Sequence, residues 1–133
     1  MTNRERIEHI YDAFARGDTD AVFGAMAPDV EWNEAEGNPY ADGNPYRGPQ
    51  AVGEGVFGRL LADYDGFAAL PEQFVAEGDT VVALGRYAGT RTDGGQTLDA
   101  PFVHVWTLEG GVVTAFQQYT DTAQFRDHVG QAV

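Results

Sequence analysis

The front of the chain sets an order of two helices followed by a strand, and this order limits the possible folds. Apolar residues at helical spacing predict a first helix over Thr2–Arg16, which Gly17 ends. Asp18 can cap a short second helix ahead of a strand at Val30–Asn33. Pro28 separates that helix from the strand. The apolar face of the first helix is formed by Ile7, Ile10, Tyr11 and Phe14.

A loop with a small internal repeat follows the strand. Gly37–Tyr40 and Gly43–Tyr46 both read Gly-Asn-Pro-Tyr, and Asn-Pro dipeptides begin turns. The sequence therefore predicts a structured loop over residues 34–48, either a surface excursion or a functional lid. Pro49 suits the first position of a third helix. The buried stripe of that helix is predicted to consist of Val52, Val56 and Leu60.

The rest of the chain is predicted to form antiparallel hairpins, because glycine-rich turn signals recur along it. Asp121 can begin a last helical turn. Helices first and hairpins second indicate an α+β fold with the helices on one side of the sheet. With no linker or low-complexity tract, we expect one domain over residues 1–133. The strands are expected near residues 66–76, 80–91, 96–108 and 112–120.

Charge and composition exclude several classes of function. The net charge is −13 and all eight basic residues are Arg, so the surface repels nucleic acid and anionic membranes. An acidic surface without Lys fits either a high-salt habitat or a GC-rich genome. No apolar run approaches the roughly 20 residues of a membrane span. Without cysteine, and without an apolar segment behind its first residues, the chain is expected to lack a signal peptide and to be cytoplasmic.

The residue types that are missing narrow the chemistry further. The chain has no Ser, Cys or Lys, which removes serine and cysteine nucleophiles and Schiff-base chemistry. Carboxylates, three His, Tyr, Thr and Arg remain, and these side chains suit proton transfer better than covalent catalysis. The His residues have no spacing to ligating partners, so the sequence predicts neither a metal site nor a cofactor.

Three segments carry a resemblance to a known family: Tyr11–Trp32, Tyr46–Val52 and the hairpin His104–Thr122. Together they resemble SnoaL-like and ketosteroid isomerase-like proteins of the nuclear transport factor two-like superfamily. The resemblance implies a cystatin-like fold, in which a curved antiparallel β-sheet forms a cone wrapped around three N-terminal helices. It also implies a hydrophobic pocket inside the cone, and dimers through the outer sheet face are common in the superfamily. One fold hosts many functions, so the resemblance does not fix the reaction.

The resemblance to ketosteroid isomerases implies a general base at the end of the first strand. Glu34 stands where those enzymes carry a catalytic Asp. Their two hydrogen-bond donors, a Tyr and a protonated Asp, fall on Ile10 and Val103, whose side chains cannot donate. Losing such a donor costs about 100- to 1000-fold in rate. We therefore do not expect an efficient steroid isomerase.

Two related enzyme types are also matched poorly. SnoaL-type polyketide cyclases use an Asp on the last strand, whereas this chain has Gln117 there and no carboxylate before Asp121. Gln117 can bind a carbonyl or hydroxyl group but cannot transfer a proton. Limonene epoxide hydrolases need two Asp and an Arg around a water, and Arg86, Asp99 and Asp121 do not have the required spacing.

Strand alternation divides the closing hairpin into a pocket face and an outer face. In the register that the resemblance implies, the outer face carries large aromatic side chains, which predicts a homodimer. A shift of one residue would exchange the two faces. The outer face is expected to hold Phe102, His104, Trp106 and Phe116. The ligand-binding residues are expected to be Phe14, Trp32, Val56, Leu60, Val103, Val105, Gln117 and Tyr119.

Three functions remain open at this point. The first is a cofactor-free isomerase, cyclase or dehydratase in which Glu34 is the base and Gln117 or Tyr119 orients an oxygen of an apolar carbonyl-type substrate. The second is a non-catalytic binding protein for a small hydrophobic ligand, and the third is a dimeric protein-interaction module. A lone His between Val residues is more often a satisfied buried or interface residue, so His104 is not assigned to catalysis. The first function requires Glu34 to lie in a closed cavity.

Overall fold

The predicted helices at the front of the chain are confirmed in the computed structural model, which describes residues 1–130. Helix α1 spans Asn3–Ala15 and begins with a reciprocal cap between Thr2 and Glu5. The Thr2 hydroxyl accepts from the Glu5 backbone at 3.1 Å, and the Glu5 carboxylate accepts from the Thr2 backbone at 2.9 Å. Helix α2 spans Thr19–Gly24 and is capped by Asp18. The last three residues of the predicted domain lie outside the described residues.

Strand β1 spans Met26–Asn33 and begins four residues earlier than predicted. It pairs with the sixth strand at Met26 and again from Glu31 onward, with an irregularity in between. Pro28 lies within this irregular stretch, where its missing N–H costs the ladder no hydrogen bond. A two-residue strand β2, Tyr46–Arg47, pairs antiparallel with the outer edge of β1.

The loop between β1 and β2 is ordered, and the Asn residues of its two Gly-Asn-Pro-Tyr copies make different hydrogen bonds. The first Asn, Asn38, caps a 3₁₀ helix over Pro39–Gly43 by accepting from the Tyr40 backbone at 2.9 Å. The second, Asn44, accepts from the backbone N–H of Glu34 at 3.0 Å and donates to its carbonyl oxygen at 2.7 Å. These two hydrogen bonds hold the loop against the end of β1.

The predicted third helix is one helical stretch with a wider turn in its middle. Helix α3, Pro49–Val52, continues through a π-helical turn, Gly53–Phe57, into α4, Gly58–Asp63. A methyl group on Gly55 would lie 2.2 Å from a ring carbon of Tyr46, so glycine allows that ring to rest against the helix. Val52, Val56 and Leu60 are buried, as predicted.

Four long strands complete a six-stranded curved sheet in the order β2-β1-β6-β5-β4-β3. All neighbouring strands are antiparallel except β1 and β6, which run parallel and bring the front of the chain against its last strand. A last helix, α5 over Thr122–Gly130, buries Phe125 against the rings of Tyr40, Tyr64 and Tyr87. The long strands are β3 Tyr64–Glu77, β4 Thr80–Arg91, β5 Thr97–Glu109 and β6 Val112–Thr120.

The prediction of which side chains of the closing hairpin point inward is wrong, because the register is shifted by one residue. On β5, alternate residues from Leu98 to Leu108 are buried, and this set includes all the large rings. Val103 and Val105 lie on the other face and are half-buried. Burying the rings removes far more apolar surface from water than burying two valines would. The side chains that turn inward instead of outward are Phe102, His104, Trp106 and Phe116.

This reversal removes the aromatic outer face from which the homodimer was predicted. The homodimer stays a prediction, but the aromatic face no longer supports it.

No helix within residues 1–130 is long and apolar enough to cross a membrane.

The centre of the sheet depends on a close approach at Gly85. A Cβ atom built there would lie 2.2 Å from the carbonyl oxygen of Leu70 and 2.7 Å from the Phe102 ring. We expect Gly85→Ala to lower the free energy of unfolding by about 2 kcal/mol or more, because neither neighbour can withdraw without disturbing the sheet. Gly24→Ala is the matched control, since a Cβ at Gly24 meets no atom within 4 Å. Urea denaturation measures both, and equal stability of the two variants would contradict the prediction.

Candidate functional site

A cavity lies between the helices and the inward face of the sheet. Its volume is about 50 Å³. Most of its wall is aromatic or aliphatic, and a few polar side chains converge on it. The lining residues are Ile10, Tyr11, Phe14, Val22, Trp32, Glu34, Val56, Phe57, Leu60, Phe67, Ala69, Tyr87, His104, Trp106, Phe116 and Gln118.

Glu34 is the carboxylate of this cavity. It follows directly after β1, its backbone is held on both sides by Asn44, and its side chain is only 2% exposed. Within the described part of the chain, the one side chain that donates to the carboxylate is Trp32, whose indole Nε1 lies 3.1 Å from Oε2. Burial with a single donor leaves the negative charge poorly compensated.

This environment favours the protonated, uncharged form of the Glu34 carboxyl. Burial raises the pKa of the Glu34 carboxyl to about 7, against the opposing effects of the Trp32 hydrogen bond and the Arg59 charge. Arg59 itself is occupied by Asp42, whose carboxylate accepts at 2.7 and 3.2 Å. A carboxyl with this pKa can accept a proton and return it at neutral pH.

A chain of hydrogen bonds supplies the other polar groups of the site. His104 lies between two phenols, with Tyr11 Oη 2.5 Å from Nδ1 and Tyr87 Oη 2.5 Å from Nε2. The indole Nε1 of Trp106 donates to Tyr11 Oη at 3.0 Å, and the amide of Gln118 donates to Tyr87 Oη at 2.8 Å. The members come from α1, β4, β5 and β6, so this chain joins one helix to three strands.

Burial keeps this hydrogen-bonded chain uncharged. It lowers the pKa of His104 to about 3, so the imidazole is neutral at ordinary pH. It also raises the pKa values of Tyr11 and Tyr87 well above their usual range, so neither phenol ionises. The side chains therefore act as hydrogen-bond donors and acceptors and hold no charge of their own.

The loop sets the orientation of Gln118. Its side-chain oxygen accepts from the backbone N–H of Ala35 at 3.1 Å and from the Asn38 amide at 2.9 Å. With its oxygen held by the loop, Gln118 must present its NH₂ group to Tyr87. The structured loop is thus part of the site.

Five of the predicted site residues lie in the cavity wall: Glu34, Phe14, Trp32, Val56 and Leu60. The other four do not. Val103 and Val105 are on the outward face of β5. Gln117 and Tyr119 border an open groove on the outside of the loop, which Glu34 also borders. The same one-residue reversal of the hairpin accounts for all four.

The sequence comparison missed two polar groups of the cavity by one position each. Ile10 and Val103 were matched to the donors of ketosteroid isomerases, but Tyr11 and His104 are the neighbouring residues that supply polar atoms to the cavity. The site therefore contains hydrogen-bonding side chains where Ile10 and Val103 predicted none. The signal that could have corrected it is the alternation of rings at Phe102, His104 and Trp106.

Residues 1–130 contain no group of three or more His, Cys, Asp or Glu side chains arranged to hold a metal ion. The polar groups of the cavity are one carboxyl, two phenols, an imidazole and an amide. Such a set suits the binding of a small organic molecule and the movement of a proton.

A family model described as SnoaL-like domain matches residues 7–116. No match was found among curated proteins. The chain is similar to the crystal structure of an NTF2-like protein from Burkholderia thailandensis. The two share 33% identity and a TM-score of 0.88 over 99% of this chain and 97% of that one.

Two further solved structures are similar along their whole length. TerC, co-crystallised with polyporic acid, shares 29% identity and a TM-score of 0.84 over 96% of this chain and 98% of its own. A protein of unknown function with a cystatin-like fold from Xanthomonas campestris shares 23% identity and a TM-score of 0.82, over 93% of this chain and 95% of that one. The predicted cystatin-like fold is confirmed.

The raised pKa of Glu34 makes a prediction about stability. Between about pH 4.5 and 7 the folded protein keeps a proton on Glu34 that the unfolded chain releases, so unfolding becomes easier as the pH rises. Glu34→Gln removes this penalty. We expect the variant to gain about 3 kcal/mol over the wild type between pH 4.5 and pH 8.

Urea denaturation at the two pH values measures this difference. Glu36→Gln, which removes an exposed carboxyl two residues along the chain, is the matched control. A stability difference between wild type and Glu34→Gln that does not change with pH would contradict the prediction.

Proposed function

Because the chain belongs to the SnoaL-like domain family, we propose that it is an enzyme that moves a proton within a small apolar carbonyl compound without a cofactor. The observation that carries this proposal is the placement of one buried carboxyl, with a pKa of about 7, and two phenol groups in the wall of one mostly apolar cavity. A base and a hydrogen-bond donor on opposite sides of a substrate are what proton abstraction next to a carbonyl needs.

The reaction follows from these groups. The Glu34 carboxylate takes a proton from the carbon beside the carbonyl, while a tyrosine hydroxyl donates a hydrogen bond to the carbonyl oxygen as it gains negative charge. When the substrate has a carbon–carbon double bond next to that carbon, the resulting dienolate is conjugated, and the carboxylic acid formed returns the proton to its far carbon. The product is an isomer of the substrate, and Glu34 is regenerated as a carboxylate. The phenols stay protonated throughout, because burial opposes their ionisation.

The walls restrict the substrate by shape and polarity. The rings of Trp32, Phe57 and Phe116 favour a flat, apolar molecule. The co-crystal of the similar protein TerC with polyporic acid supports a small organic ligand for this chain. A cavity of about 50 Å³ excludes a steroid-sized molecule. Since a benzene-sized ligand needs roughly 150 Å³, a single-ring ketone enters only if side chains of the wall move.

A non-catalytic binding protein is the second candidate, since the apolar wall alone could hold a hydrophobic ligand. The buried carboxyl favours the enzyme. A cavity built only to bind an apolar molecule gains nothing from a group that costs stability when it ionises.

Proton transfer can be tested with 3-cyclohexen-1-one, a small ketone whose isomerisation to the conjugated ketone is followed by ultraviolet absorbance. Binding is first measured by quenching of Trp32 and Trp106 fluorescence, since both rings line the cavity. We expect isomerisation, and α-hydrogen exchange in D₂O followed by NMR, with a rate that rises with pH to a plateau above about pH 7. Glu34→Gln should abolish both.

A ketone that binds but neither isomerises nor exchanges would refute the enzyme and favour the binding protein. Glu36→Gln is again the control, because it changes the net charge as Glu34→Gln does without altering the cavity.

We propose that the protein forms a homodimer through the outward face of the sheet. Val82 stands opposite Val105 and Leu84 opposite Val103 on this face. All four are half-buried, and nearby Tyr119 is 57% exposed. A cluster of aliphatic side chains without charge is unusual on a chain of net charge −13, and a second copy would remove it from water.

The dimer is tested by analytical ultracentrifugation of Val105→Arg. We expect a wild-type dimer and a monomeric variant, because the dimer would have to bury an unpaired guanidinium. Val112→Arg, at the exposed start of β6, is the matched control and should remain dimeric. A monomeric wild type, or a Val105→Arg dimer, would contradict the proposal. A monomeric wild type would leave the face free for another protein and support the interaction module.

A further inference from the structure

The hydrogen-bonded chain in the cavity has both of its ends fixed. Trp106 can only donate, so Tyr11 Oη must accept from it. Gln118 has its oxygen held by the loop and therefore also donates, to Tyr87 Oη. The donors at the two ends, Trp106 and Gln118, therefore both direct a hydrogen into the chain. The remaining hydrogens can be assigned by counting donors and acceptors.

One hydrogen of this chain has no acceptor within it. Tyr11, neutral His104 and Tyr87 carry three hydrogens on their polar atoms, one each. The contacts of His104 with the two phenols each take one hydrogen. The third must project from a phenol oxygen, out of the chain and towards the cavity that both phenols line.

The tautomer of His104 decides which phenol carries the spare hydrogen. If Nε2 is protonated, it donates to Tyr87, Tyr11 donates to Nδ1, and the spare hydrogen is on Tyr87. If Nδ1 is protonated, both bonds reverse and the spare hydrogen is on Tyr11. His104 is 5% exposed, so solvent cannot supply a further partner that would change the count.

The charge of Glu34 decides between the two tautomers of His104. Ala35, the residue after Glu34, donates its backbone N–H to Gln118 at 3.1 Å, and Gln118 donates to Tyr87 at 2.8 Å. The segment that carries Glu34 therefore meets the hydrogen-bonded chain at its Tyr87 end, where the Glu34 carboxylate also acts electrostatically on Tyr87. Arg59 is the other charged group that acts on Glu34, and it is held by Asp42 outside the cavity wall. A negative charge beside Tyr87 favours the arrangement that puts most hydrogens near that oxygen.

We infer that ionised Glu34 selects the Nε2–H tautomer of His104 and so places the one spare hydroxyl hydrogen on Tyr87. His104 is then a positioning residue, and Tyr87 is the donor to the ligand. Resting on the proposed function, this deepens it: the same ionisation that makes Glu34 a base also aims the donor at the substrate oxygen. The ligand class is a molecule with one acceptor oxygen at Tyr87 and its acidic carbon facing Glu34.

The tautomer can be read without any ligand or activity. Uniformly ¹⁵N-labelled protein is studied at pH 8 by long-range ¹H–¹⁵N correlation of the histidine rings, with His9→Gln and His128→Gln used to assign His104. We expect the Nε2–H pattern in the wild type and in the control Glu36→Gln. Glu34→Gln should shift His104 towards the Nδ1–H pattern. A wild-type Nδ1–H ring, or a tautomer unaffected by Glu34→Gln, would overturn the inference.

A kinetic comparison tests the donor separately. With 3-cyclohexen-1-one, Tyr87→Phe should lower kcat by about 100-fold or more, the usual loss for one such donor. Tyr11→Phe should lower it less, because its loss leaves the spare hydrogen on Tyr87. The reverse order would overturn the inference. If the wild type shows no isomerisation, the proposed function fails while the NMR result still decides the tautomer.

Discussion

Polar groups that the sheet carries into the interior are cut off from bulk solvent, so they have to find hydrogen-bond partners there. Tyr11, Tyr87, His104 and Gln118 meet this requirement together: each polar atom contacts another member, Trp106 or the loop, and one hydroxyl hydrogen is left for a ligand. The position of α1 over the sheet, the register of β4 with β5 and the course of the loop all serve this one network. Glu34 is the exception, with a single donor, and it is the group to which we assign chemistry.

The order of helices and strands could be predicted from sequence because turn residues mark the ends of almost every element. The four long strands lie within two residues of their expected bounds. Glu34 could be found too, because its place at the end of the first strand is a feature of local sequence.

The facing of the last hairpin could not be predicted, for a physical reason. The run Phe102-Val103-His104-Val105-Trp106 is apolar on both faces, so alternation gives no polar side to turn towards water. Only the size of the rings distinguishes the faces, and size decides once the concave side must be filled. The partnership of Tyr11, Tyr87 and His104 was equally hidden, since the pairs lie 93 and 17 residues apart in the chain. Such pairing becomes visible only when the sheet register is known.

The hydrogen bonds from the loop to Gln118 give residues 35–38 an influence on a cavity that none of these four residues lines. Were the donors at Ala35 and Asn38 withdrawn, the Gln118 amide could turn over and present its oxygen to Tyr87. That oxygen would consume the hydrogen otherwise left over for a ligand, and the site would hold the same atoms in nearly the same places but have nothing to donate. A loop can thus switch a binding site off by reversing one amide, without moving a wall or blocking an entrance.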